Sequence, residues 1–119
     1  MEDDIRPIFL RIAELIENGI VAGTYATGDQ VPSTTELAAF HRINPATVGK
    51  GLNQLVDRGI LHKRRGLGMF VSEGARDALI AERSAEFHGT YIRPLLIEAE
   101  RLGLDTTDII ALISRKDHP

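Results

Sequence analysis

Apolar residues recur at three- and four-residue steps near the start of the chain: Ile5, Ile8, Phe9, Ile12, Leu15, Ile16 and Ile20. That spacing puts them on one stripe and predicts a first helix over residues 5–22. Gly23 and then Gly28-Asp29 break the pattern and open a loop ending at Val31-Pro32. In "STTE", which follows, Ser33 and Glu36 have the spacing of a capping box, which satisfies N–H groups left free at a helix start. Leu37, Ala38 and Phe40 give this short second helix its apolar side, and it stops near His41-Arg42. Asn44 then suits an N-cap and Pro45 the first helical position. Val48, Leu52, Leu55 and Val56 form the buried stripe of a third helix, ended by Gly59. Two short helices this close together read as a helix-turn-helix.

The next stretch, "ILHKRRGLGMFVS", changes period. Leu61 and either Phe70 or Val71 can face a core, and the glycines fall where a tight turn needs unusual backbone angles, so a β-hairpin is predicted. Three helices and a hairpin make a winged helix-turn-helix over residues 1–72. Beyond Ser72 a helical pattern returns with Leu79, Phe87, Tyr91, Leu95, Ala99 and Leu102. Gly89 and Pro94 predict a kink within it, and Gly103 ends it. Asp105 to Asp108 repeats the capping signal, ahead of a last short helix carrying Ile109, Ile110, Leu112 and Ile113. The fold class expected is therefore α+β, mostly α, with residues 73–119 forming a two-helix unit. Its apolar faces are too large to hide against a small winged domain, and a second copy of the chain is the simplest cover. The residues expected at that interface are Leu79, Phe87, Tyr91, Leu95, Leu102, Ile109, Leu112 and Ile113.

Charge adds a division that the total conceals. The 119 residues hold 14 Lys+Arg and 17 Asp+Glu, a formal charge of -3. From Ser33 to Ser72 there are six cations (Arg42, Lys50, Arg58, Lys63, Arg64 and Arg65) against two anions (Glu36 and Asp57). One basic segment thus sits in an acidic chain, and a local field governs nucleic-acid binding more than the sum does. Within it, the face of the third helix opposite the stripe presents Ala46, Thr47, Gly49, Lys50 and Asn53. Short polar residues at a helix N-terminus can reach base edges and phosphates, and a lysine can neutralise a phosphate or donate to a guanine edge. Gly49 and Gly51 each cost about 1 kcal/mol in a helix interior relative to Ala. Close approach of the backbone to DNA or to the second helix would account for that cost. Lys63, Arg64 and Arg65 stand at the lip of the hairpin turn, where a wing tip reaches phosphates or a narrow minor groove.

Other chemistries find little support. With no cysteine, disulfides and thiolate metal sites are excluded. His41, His62, His88 and His118 show no ligand spacing; a His-based site completed by carboxylates such as Glu98 or Asp108 is the minor alternative, and no metal or other cofactor is expected. His62 is placed to assist the wing instead. No nucleophile–base pair or phosphate-binding glycine loop is present, and "GLG" lacks the strand-to-helix setting of a dinucleotide site, so an enzyme is not expected. No apolar run approaches the ~20 residues of a membrane span, and the acidic start "MEDDIRP" is no secretory signal, so a cytoplasmic protein is expected.

"PSTTELA" (32–38), "NPATV" (44–48), "LNQLVDRGIL" (52–61) and "RRGLGMFV" (64–71) together resemble the winged helix-turn-helix of GntR-family bacterial transcription regulators. The Asn-Pro start of the third helix and the short tail resemble the YtrA-like subfamily, whose tail is a two-helix dimerisation unit. The resemblance implies a homodimer that binds a palindromic double-stranded operator, usually as a repressor of its own operon, often beside ABC-transporter genes. It leaves room for a small-molecule effector. It marks Thr47 and Lys50 on the third helix, and Arg65 with Gly66 in the wing, as DNA contacts. With the capping residues and neighbouring cations, the candidate set is Ser33, Thr34, Thr35, Asn44, Ala46, Thr47, Lys50, Lys63, Arg64, Arg65 and Gly66. The chain departs from the family at Thr35, where many relatives carry an Arg that reaches DNA from the second helix, and at Gly49, where a longer polar residue is common. The competing function is a winged-helix module for protein–protein contact, which steep salt dependence of duplex binding would exclude.

Overall fold

The computed structural model describes residues 7–115; Ile5, counted in the first apolar stripe, and His118 lie outside them. The chain divides into two compact units between Ala81 and Glu82. In the first, α1 (Ile8–Val21), α2 (Thr34–His41) and α3 (Pro45–Asp57) precede the hairpin strands β1 (Leu61–Arg64) and β2 (Gly68–Val71), and α4 (Ala75–Phe87) begins.

Ile12, Ile16 and Ile20 of α1, Val48, Leu52 and Leu55 of α3, Leu61 and Val71 of the hairpin and Leu79 of α4 meet in one core, all at most 4% exposed. The stripe of α1 is narrower than its spacing suggests. Ile8 and Leu15 stay exposed, while Ala13 takes a core place. Phe40 also departs from expectation, because only Leu37 and Ala38 of α2 turn inward. Phe40 is 74% exposed, with its ring stacked on His41.

The helix boundaries follow the capping chemistry. Ser33 Oγ accepts from Glu36 N (3.0 Å) and Glu36 Oε1 accepts from Ser33 N (2.9 Å). Asn44 Oδ1 accepts from Ala46 N at 2.7 Å, with Pro45 in the first turn of α3. At the other end of α3, Ile60 N donates to Leu55 O and Gly59 N to Val56 O, with Gly59 at φ +76°. This pair of bonds is the Schellman motif, and it turns the chain straight into β1. Between α2 and α3 the turn rests on Arg42, which takes the left-handed conformation (φ 55°) that glycine adopts more easily.

The hairpin register pairs Leu61 with Val71 and His62 with Phe70. Val71 therefore fills the inward place, and Phe70 lies on the opposite face with His62. A bridge from Gln30 to Phe70, and Val31 N donating to Met69 O (3.0 Å), tie the loop before α2 to the wing. The winged unit also takes in the first turns of α4, where Ala75 and Leu79 are core residues and Arg76 Nε donates to Val21 O (3.1 Å). Leu79 was expected at the subunit interface. At 1% exposure in this core its apolar surface is already covered, and it leaves that set.

In the second unit, where a kink is expected from the sequence, a π-helical turn, His88–Ile92, stands between α4 and α5 (Arg93–Arg101). Pro94 lies in the first turn of α5, where its missing N–H breaks the regular bonding, and a widened turn absorbs the mismatch. Leu104 N donates to Ala99 O and Gly103 N to Glu100 O, a second Schellman turn. Asp105 and Asp108 then cap α6 (Thr106–Ser114) reciprocally. Phe87, Tyr91, Leu95, Leu102, Leu112 and Ile113 remain exposed, Ile109 is half-buried, and Leu96, Ile97 and Ile110 are exposed as well.

Candidate nucleic-acid interface

The first turns of α3 are built to stay bare. Pro45 has no N–H to satisfy, Asn44 caps Ala46, and the first turn carries no acidic residue. Its positive dipole end is therefore not offset from within the helix. The first turn of α2 differs, because Glu36 stands there. Hydrogen bonds from the Ser33 backbone N–H and, to a lesser degree, the Ser33 side chain hold the Glu36 carboxyl below the usual carboxylate range. An incoming phosphate finds α3 the more favourable of the two helix starts.

Asn44, Ala46, Lys50 and Asn53 are exposed, and Thr47 is half-buried. Phe9, Ala46, Gly49, Lys50, Asn53, Gln54 and Asp57 line an open groove of about 600 Å³ along α3. The two glycines of the helix have separate causes. A Cβ on Gly51 would lie 2.5 Å from Phe9 O and 3.2 Å from the Ile12 side chain, so Gly51 lets α1, rather than α2, pack against α3. Among the described residues a Cβ on Gly49 would meet only Thr34 Cγ2, at 4.0 Å, so no packing among them demands Gly49. That distance brings Thr34 beside the exposed face of α3. Ser33 and Thr35 are exposed, and the Ser33 hydroxyl is engaged in capping.

At the wing, Leu67 N donates to Arg64 O (2.9 Å) and Gly66 adopts φ +77°, which closes the turn with Arg65 at its tip. Lys63, Arg64, Arg65 and Gly66 are all exposed. Sequence reasoning missed Gln30. Its Nε2 donates to Leu67 O at 2.7 Å, and Gly68 (φ +131°) leaves the space for it. No spacing signal pointed to this brace, which joins residues far apart in the chain. His62 Nδ1 lies 3.3 Å from Ser72 Oγ at the base of the wing.

The cations of the basic segment are not equivalent. Arg58 Nη1 pairs with Glu17 Oε2 at 2.6 Å and joins α3 to α1, so its charge is offset inside the protein. The Lys50 ammonium instead stands 4.2 Å above the Phe9 ring, and the Arg64 guanidinium 4.5 Å above the Phe70 ring. An aromatic face attracts a cation without neutralising it. Among the described residues no three His, Cys, Asp or Glu side chains gather as metal ligands would; Asp108 is occupied in a cap and Glu98 pairs with Arg101. No helix of the described residues is long and apolar enough to cross a membrane.

Comparison with known proteins agrees with this geometry. Residues 9–71 match the family model for bacterial regulatory proteins of the gntR family. The HTH-type transcriptional repressor YtrA of Bacillus subtilis is 31% identical over 99 residues, covering 83% of this chain and 75% of that protein. Among solved structures, a GntR family transcriptional regulator from Listeria monocytogenes superposes with a TM-score of 0.72 at 29% identity, over 93% of this chain and 96% of the other. The DNA-binding domain of AraR in complex with an operator gives 0.55 at 26% identity, over 57% of this chain and 82% of that domain.

Proposed function

This chain belongs to the gntR family of bacterial regulatory proteins and is a winged-helix transcription regulator; from that premise we propose that it represses by binding a palindromic double-stranded operator as a homodimer. The observation that carries the reading is the exposed face of α3, where the Lys50 ammonium stands over the Phe9 ring beside a first turn free of acidic residues. Ala46, Thr47 and Lys50 enter the major groove, and Asn44 and the first turn of α2, Ser33 to Thr35, lie along the sugar-phosphate backbone. Arg64, Arg65 and Gly66 carry the wing to the adjacent groove, and Lys63 faces a phosphate.

Two winged units are held together through the second unit, whose apolar side chains at Phe87, Tyr91, Leu95, Leu102, Ile109, Leu112 and Ile113 need cover that one copy does not supply. A two-fold dimer presents two α3 helices to half-sites about one helical turn apart, which is why the operator is a palindrome. The regulated genes are its own operon, of the transporter-linked kind. The test is to incubate the protein with fragments of its own genome and sequence those retained at rising salt. The reading requires a short inverted repeat upstream of the protein's own gene. Retention of fragments without any shared sequence would reject it.

A further inference from the structure

Two features of α1 converge on α3. The missing side chain of Gly51 lets the Phe9 backbone come close, and the Phe9 ring then lies under the Lys50 ammonium, 4.2 Å from ring centroid to Nζ. Among the described residues Lys50 has no carboxylate partner, in contrast to Arg58, which Glu17 neutralises. A lysine on a flexible four-carbon stem samples many positions in water. A ring face restricts that sampling, yet it occupies one side of the ammonium only and leaves its charge intact. The remaining N–H donors stay free to meet a phosphate or the edge of a guanine.

We propose that Phe9 is a positioning residue for DNA recognition: its ring holds the Lys50 ammonium on the side of α3 that enters the groove. The wing repeats the device with Arg64 over Phe70. The proposal rests on the reading of Lys50 as a DNA contact. It makes the start of α1, outside the helix-turn-helix itself, part of the recognition surface.

A double-mutant cycle on the full-length chain tests it, with operator affinity measured for the wild type, Phe9→Leu, Lys50→Ala and the double variant, and folding checked by circular dichroism. Phe9→Leu keeps apolar bulk and removes the ring, and should weaken operator binding about two- to fivefold, the size of an exposed cation–aromatic contact. In the Lys50→Ala background the same change should have no effect, and Phe9→Tyr, which keeps a ring face, should bind as the wild type does. Equal losses from Phe9→Leu with and without Lys50 would overturn the proposal, since they would mark a packing role only. Tighter binding by Phe9→Leu would overturn it too, since the ring would then be withholding Lys50 from DNA. If Lys50→Ala alone leaves operator affinity unchanged, the reading of Lys50 as a DNA contact falls and takes this proposal with it. A weaker Lys50→Ala variant without coupling to Phe9 removes the positioning role alone.

Discussion

Gly51 faces the carbonyl oxygen of Phe9 so closely that a methyl group on its α-carbon would sit 2.5 Å from that oxygen. Backbone meets backbone there, and neither side can give way by rotating a side chain. Gly51→Ala should therefore destabilise the winged unit by about 1–3 kcal/mol through overpacking, despite alanine's better helix propensity. Gly49→Ala meets no such obstacle among the described residues and should stabilise it by about 0.5–1 kcal/mol. Urea denaturation of both variants checks the opposite signs. If Gly49→Ala folds more stably yet binds operator less well, the space at Gly49 serves the DNA and not the fold.

Thr35 stands exposed in the first turn of α2, at the position where the family resemblance leads to an expectation of Arg. Thr35→Arg should tighten binding to operator and to non-specific duplex alike, and steepen the salt dependence by up to ~2 phosphates per dimer. Titration of the folded variant at several salt concentrations checks this. An unchanged slope would mean that the start of α2 does not approach the phosphates.

The capping box ties α2 to pH. The folded-state pKa of Glu36 is lowered by its bonds with Ser33, so its stabilising effect is present above the ordinary carboxylate range and is lost as pH falls through that lowered value. Thermal stability of Glu36→Gln should consequently vary less with pH on the acid side than that of the wild type. Identical acid profiles for the two would contradict the link.

The exposed apolar side chains of α5 and α6 predict a dimer at micromolar concentration by light scattering. Leu112→Asp with Ile113→Asp should shift it toward monomer and weaken operator binding, while leaving the winged unit folded. A wild-type monomer under the same conditions would contradict the proposed assembly.

Local chemistry made the helix boundaries legible. Ser33 with Glu36, Asn44 with Pro45, Gly59, Gly103 and Asp105 with Asp108 act within a few residues, so their effects are written in adjacent letters. Periodicity was less decisive at the edges of a stripe. Ile8, Leu15 and Phe40 carry the right spacing, but a core of this size closes before reaching them, and Leu79 shows the reverse, claimed by a core that extends past the hairpin. Pairings between distant segments were invisible in the letters. Gln30 bracing Leu67, Glu17 neutralising Arg58 and Phe9 holding Lys50 depend on which faces meet after folding, and only the glycine at position 51 hinted that two backbones come close.

The central claim is that α3 and the wing together bind duplex DNA, and the salt dependence of operator affinity tests it most directly. For the wild type, the logarithm of the association constant should fall linearly with the logarithm of salt concentration. Replacing Arg64 and Arg65 with Ala should flatten that slope by ~1 for each phosphate that is no longer neutralised, and Lys50→Ala should narrow the gap between operator and unrelated duplex. Folded variants that bind with unchanged affinity and unchanged slope would contradict the account.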